Sequence, residues 1–102
     1  MKKTIMLFAG TTEGRRICEF LAVKKCITHV YVTTEYGKEL LPGQNNVHIH
    51  VGKMDEKQMS DEIKAIHPDI VIDATHPYAT IVSSNAIECS KISNTDYVRF
   101  ER

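Results

Sequence analysis

The sequence predicts an α/β fold, a doubly wound parallel sheet of about five strands with flanking helices. Three observations predict it. Strand-like and helix-like segments alternate along the whole chain. The first strand-like run, residues 4–9 (TIMLFA), lacks polar alternation, as suits a strand buried on both faces. A turn carrying Gly10 and Gly14 then separates that run from a segment of helical period.

The elements follow in order. From Glu13 onward, Gly14, Ile17, Cys18 and Leu21 recur at helical spacing. That helix is expected to end near Lys24 and Lys25, where cations favour the C-terminal end of the dipole. Residues 28–34 (THVYVTT) are rich in β-branched and aromatic side chains and read as a second strand. Tyr36-Gly37 and Leu41-Pro42-Gly43 mark a loop. Residues 47–51 (VHIHV) alternate with period two, a third strand. Asp55 with Gln58 three residues on forms a helix N-cap pair, and Met59, Ile63 and Ile66 continue one face until His67-Pro68 stops it. Residues 69–73 (DIVID) are a fourth strand. Pro77 suits the first turn of the next helix, where its missing N–H costs nothing, and Ile81, Val82, Asn85, Ala86 and Cys89 line that helix. Residues 97–100 form a short fifth strand.

Size and composition narrow the function classes. A chain of 102 residues has room for one domain, residues 1–102. Thirteen Lys and Arg balance 13 Asp and Glu, which argues against a nucleic-acid partner, since such proteins carry a basic excess. The longest apolar run near the N-terminus, Ile5 to Ala9, is shorter than a signal peptide core of about 7–15 residues or a membrane span of about 20. No membrane association is therefore expected. Cys18, Cys26 and Cys89 match no zinc spacing and cannot all pair with one another. They read as reduced residues on or near helices, and the protein as cytoplasmic.

In such a sheet, right-handed crossovers bring the C-terminal strand ends to one edge, where ligands bind. Three segments fall there. The first holds Gly10, Thr11, Thr12, Glu13, Gly14 and Arg15. It follows a buried strand and opens a helix, the setting of a Rossmann dinucleotide turn, although only two glycines are present. Backbone amides at the helix start suit a pyrophosphate. Gly10 permits the tight turn, Gly14 lets the helix approach the sheet, and Thr11 and Thr12 add hydroxyls. The same turn also suits a structural strand–helix junction that binds nothing. The second segment follows the second strand. Glu35 there suits a ribose 2′-OH and NAD; alternatively Thr34 receives a 2′-phosphate, with Lys38 or Arg15 supplying charge, and NADP follows. The third holds Asp73, Ala74, Thr75, His76, Pro77 and Tyr78. His76 suits donation to a ligand and Thr75 suits a helix cap. His48 and His50 share one strand face without an evident carboxylate or cysteine partner, so no metal site is expected. No G-x-S-x-G nucleophile elbow occurs.

These three segments together resemble the precorrin-6A reductase (cobalt-precorrin-6A reductase) family of cobalamin biosynthesis. The stretch from Asp73 to Ala79 (DATHPYA) is the most specific part. Val51-Gly52-Lys53-Met54-Asp55, Met59, Ser84-Asn85-Ala86 and the end from Tyr97 to Arg102 support it in the same order. Ala9 stands where the family usually has a first glycine. The resemblance implies a Rossmann-like NADP-binding domain and an NADPH-dependent oxidoreductase reducing a double bond of a corrin-ring precursor, precorrin-6A or cobalt-precorrin-6A. It implies NADP(H) contacts from Gly10, Thr11, Thr12, Glu13, Gly14, Arg15, Thr34, Lys38, Ala74 and Thr75. It implies substrate contacts from His76, Pro77, Tyr78 and Arg99. The family continues beyond the position of Arg102, so the sequence reads as its N-terminal half, with the C-terminal domain missing and little activity of its own. The rival reading is a non-catalytic Rossmann-like nucleotide-binding or assembly module. A sugar-epimerase kinship is weaker, because neither Tyr36 nor Tyr78 starts a Tyr-x-x-x-Lys pair.

Overall fold

Alternate residues of the first strand feed two separate cores. A computed structural model describes residues 2–101 of the chain. Its elements are β1 (Lys3–Phe8), α1 (Thr12–Ala22), β2 (Cys26–Val32), α2 (Glu35–Glu39), β3 (Val47–Val51), α3 (Glu56–Ile66), β4 (Ile70–Asp73), α4 (Thr80–Ile92) and β5 (Asp96–Arg99). All neighbouring strands pair in parallel, in the order β3-β2-β1-β4-β5. The expected α/β class and five-stranded parallel sheet are thus present.

β1 lies at the centre, and its register sets Leu7 beside Val30 of β2 and Ile72 of β4. Met6 and Phe8 join Met59 and Ile63 of α3 and Ala86 and Cys89 of α4 in one core. Leu7 and Ala9 join Cys18 and Ala22 of α1 with Val30 and Val32 of β2 in the other. A strand with helices over both faces has no solvent side, which is why its apolar run does not alternate. β3 lies at the sheet edge, and there the alternation survives: Val47 is buried while His48 is exposed.

Local chemistry starts and stops the helices. Thr11 caps α1 by accepting from the Gly14 amide at 3.0 Å. Asp55 and Gln58 complete the expected capping box of α3, each side chain accepting from the other's amide. His67 ends α3 in the left-handed region, at φ 49°, and Pro68 prevents continuation.

Three expectations need correction. Tyr36-Gly37, read as loop, lies within α2, because Thr34 accepts from the Gly37 amide at 3.0 Å and caps a short helix. α4 begins at Thr80, so Pro77 sits in the turn before it and not in its first turn. Ile81, expected on the inner face of α4, is exposed, because it lies round the helix from the buried Ala86 and Cys89. α1 ends at Ala22, close to the expected Lys24 and Lys25, although neither lysine falls in its last turn. The three cysteines are free and buried; Cys18 and Cys89 sit on helices, whereas Cys26 opens β2. Arg102, at the end of the last family-like segment, lies outside the described residues.

Candidate functional site

The strand order reverses between β1 and β4, so their C-terminal ends diverge and leave a crevice. A pocket of about 720 Å³ occupies it. Three turns wall the pocket, and each is shaped by a different local device.

The turn after β1 depends on two glycines for different reasons. Gly10 has φ +116°, a conformation that side chains rarely adopt, and nothing lies within 4 Å of where a Cβ would be. The backbone there faces open space. Gly14 is the reverse case. A Cβ at Gly14 would lie 2.8 Å from Ala9 Cβ and 2.9 Å from Ala9 Cα, so only glycine lets α1 start this close to the end of β1. The Thr11 hydroxyl, while capping α1, also donates to the Ala74 carbonyl at 2.6 Å. That bond ties the first turn to the third.

The end of β2 presents Thr33 and Thr34 to the pocket, followed by Tyr36 and Gly37 of α2. Neither Glu35 nor Lys38 lines the wall.

The end of β4 is held from beneath. Asp73 is completely buried. Its carboxylate accepts from Tyr97 Oη at 2.7 Å, Thr75 Oγ1 at 2.7 Å and Arg99 Nη1 at 2.9 Å. Burial by itself would raise its pKa, but hydrogen bonds from Ser83, Thr75 and Tyr97 hold the carboxyl below its ordinary value. Burial and the bond to that carboxylate push the Tyr97 hydroxyl up, so it stays a donor. Above this network, Ala74, Thr75, His76 and Pro77 line the pocket. His76 Nδ1 accepts from the Tyr78 amide at 3.2 Å, which leaves Nε2 as the ring nitrogen open to a ligand.

The structure therefore brings together Gly10, Thr11, Thr12, Glu13, Arg15, Thr34, Ala74, Thr75, His76 and Pro77 on one wall system. Gly14 is buried under it against Ala9. Lys38 belongs to the last turn of α2, away from the lining. Tyr78 is 87% exposed beside the His76 ring, at a centroid separation of 4.9 Å. Arg99 is turned into the Asp73 network and does not line the pocket. Thr75, expected as a possible helix cap, donates to Asp73 instead, and α4 has no side-chain cap. Sequence reasoning overlooked Leu40, Leu41 and Phe100 as lining residues. The first two would have been found by recognising Thr34 followed by Glu35 as a helix start. Phe100 stood only as part of the fifth strand and the family-like end, because its nearness to the pocket depends on β5 pairing with β4.

Two side features complete the picture. Arg15 lines the pocket, and its buried Nε has no hydrogen-bond partner; Glu19 is 4.0 Å away, at the outer limit of an ion pair. On the far edge of the sheet, His29 Nδ1 and His50 Nε2 lie 3.0 Å apart, with His48 stacked on His29. Among the described residues, no group of three or more potential ligands is arranged to hold a metal ion. Among the same residues, no helix is long and apolar enough to cross a membrane.

Comparison with known proteins is consistent along the whole chain. The family model described as precorrin-6x reductase CbiJ/CobK matches residues 4–102. The cobalt-precorrin-6A reductase of Methanocaldococcus jannaschii is 37% identical over 100 residues, covering 96% of this chain and 39% of the relative. A solved structure of the precorrin-6A reductase CobK superposes with a TM-score of 0.83 at 25% identity, covering 98% of this chain and 39% of the other. Bordetella bronchiseptica WbmH, solved in complex with NAD+, shares the fold with a TM-score of 0.75 at 21% identity, covering 93% of this chain and 36% of the other. The chain spans about two-fifths of the length of the curated relatives it matches. The match over residues 4–102, together with a sheet and pocket built in the same order as the family-like segments, places this chain in the precorrin-6x reductase family, CbiJ/CobK.

Proposed function

We propose that residues 1–102 form a single Rossmann-like domain that is the NADPH-binding half of a precorrin-6A or cobalt-precorrin-6A reductase. In this reading a C-terminal domain, as its longer relatives have room for, supplies the other wall of the substrate cleft. The observation that carries the reading is the convergence of the glycine turn, the Thr33-Thr34 strand end and the Ala74–Thr75 strand end on one pocket at the β1/β4 divergence.

The residues fit a dinucleotide. Gly10 leaves its backbone open to close approach by a pyrophosphate, and the first turn of α1 lies beside it. The Nε of Arg15, 4.0 Å from Glu19 and without a hydrogen bond among the described residues, is a cationic donor that suits an anion. The absence of Glu35 from the lining, with Thr33 and Thr34 in its place, favours a 2′-phosphate over a free ribose hydroxyl. Thr34 and Arg15 are then the groups that hold it. Ala74 and Thr75 border the nicotinamide end, and His76, Pro77 and Tyr78 border the substrate. When bound, the nicotinamide supplies the hydride for reduction of a ring double bond. The chain's contribution is to orient it and to present Nε2 of His76 to the substrate.

Calorimetric titration with NADP+ and NAD+ in parallel tests the reading. Binding of NADP+ with much weaker NAD+ is the expected result. Equal affinity moves the ribose contact to Glu35 and an NAD-type site. Binding of neither removes the nucleotide reading for this chain.

A further inference from the structure

We infer that Arg99 is a positioning residue for the nicotinamide end of the pocket, acting through the strand end at Ala74 and Thr75; the inference rests on the nucleotide reading above. The family resemblance implied that this arginine contacts the substrate. The geometry assigns it inward. Nη1 donates to Asp73 Oδ1 at 2.9 Å, to Thr75 Oγ1 at 2.9 Å and to Ser83 Oγ at 3.0 Å, while Nη2 donates to the Thr75 carbonyl at 3.0 Å. One planar guanidinium thus joins β4, the turn after it, α4 and β5. Its charge is matched by Asp73, whose side chain is 0% exposed against 23% for Arg99, and by Glu101, whose Oε1 accepts from Nε at 3.2 Å.

The consequence is directional. Thr75 lines the pocket, and the carbonyl of its neighbour Ala74 accepts from Thr11 at the start of α1. Arg99 holds the Thr75 carbonyl and the Asp73 carboxylate that accepts from the Thr75 amide, while Thr11 holds the Ala74 carbonyl. The third wall of the pocket is therefore set before any ligand arrives, so a ligand need not order it. A lysine keeps the charge opposite Asp73, but a single ammonium lacks the planar fork that reaches Thr75 and Ser83 together. The hydrogen bonds of Arg99 go to Asp73, Thr75, Ser83 and Glu101, so an adenine-side ligand at Thr33-Thr34 is expected to be indifferent to it.

The test compares wild type, Arg99→Lys and Ser83→Ala by titration with NADP+ and with 2′,5′-ADP, which lacks the nicotinamide half, together with amide exchange at Thr75. Arg99→Lys is expected to weaken NADP+ about tenfold, to leave 2′,5′-ADP within about twofold, and to speed exchange at Thr75 about tenfold. Ser83→Ala, which keeps the ion pair, serves if the lysine variant fails to fold, and is expected to show the same split at smaller size. Equal losses for both ligands, or no loss for either, overturn the inference, because a merely structural arginine moves the two together. If wild type binds neither ligand, the nucleotide reading fails; the exchange data then show separately whether Arg99 holds the Thr75 peptide, and unchanged exchange overturns that too.

Discussion

Thr11 and Ala74 are 63 positions apart, yet the hydroxyl of one donates to the carbonyl of the other at 2.6 Å. The same oxygen accepts from the Gly14 amide at 3.0 Å. A single hydroxyl thus caps α1 and spans the divergence between β1 and β4, where the pocket opens. Thr11→Ser keeps both bonds and is expected to preserve stability within about 0.5 kcal/mol. Thr11→Val keeps the shape and loses both, with an expected cost of about 1–2 kcal/mol in urea denaturation. Equal stability of the two variants would contradict the double role.

Gly14 is constrained by Ala9. Gly14→Ala places its new methyl 2.8 Å from Ala9 Cβ and 2.9 Å from Ala9 Cα, one of them a backbone atom. Helix propensity favours alanine by up to about 1 kcal/mol, but the overlap outweighs it, and a net loss of about 2 kcal/mol is expected. Adding Ala9→Gly is expected to restore part of that loss, because it removes the side-chain half of the clash. Chemical denaturation of the single and double variants measures the coupling.

Asp73 carries the network behind the pocket. Its folded-state pKa is held below the ordinary 3.8 by hydrogen bonds from Ser83, Thr75 and Tyr97, which outweigh the opposing effect of burial. A depressed carboxyl stabilises the fold fully above its unfolded value and loses that contribution as pH falls through the folded value. Asp73→Asn removes the buried partner of Arg99, leaving it only the exposed Glu101, and is expected to cost about 3 kcal/mol near neutral pH. Its deficit relative to wild type is expected to shrink in urea titrations carried below pH 3.8.

His29, on β2 beside the edge strand β3, gives that side of the sheet its own pH dependence. Burial, and then His50 and His48, lower its pKa from 6.5; Glu62 acts in the other direction. The folded state therefore binds the proton less readily than the unfolded chain, and stability falls as pH drops below 6.5. His29→Asn is expected to flatten this slope while losing the bond to His50. Melting midpoints recorded on both sides of pH 6.5 check it, and an unchanged slope in the variant would falsify the assignment.

Much of the fold was legible because its signals are local. The unbroken run of residues 4–9 marks a strand covered on both sides, and Asp55 with Gln58 marks a helix start by direct side-chain reach. The missed α2 was also local: Thr34 followed by Glu35 is a cap that the glycine at position 37 obscured. Pro77 misled in the other direction. Its fixed backbone suits a helix start, but here it belongs to a turn closed by the Ala79 amide donating to the His76 carbonyl at 2.9 Å.

The sequence by itself determined the class of the fold, the order of its main elements and the three turns that meet at one sheet edge, since period, capping and glycine placement act over a few residues. Tertiary structure alone decided which residues of those turns face the pocket. Lys38 and Glu35 lie off its wall, Phe100 lies on it, and Arg99 turns inward to Asp73. Those outcomes depend on strand order and register: β5 pairs with β4 so that Asp73 and Arg99 are register partners, 26 positions apart in sequence. A buried carboxylate must find its counter-charge wherever packing sets one beside it, and packing places residues that no local pattern relates.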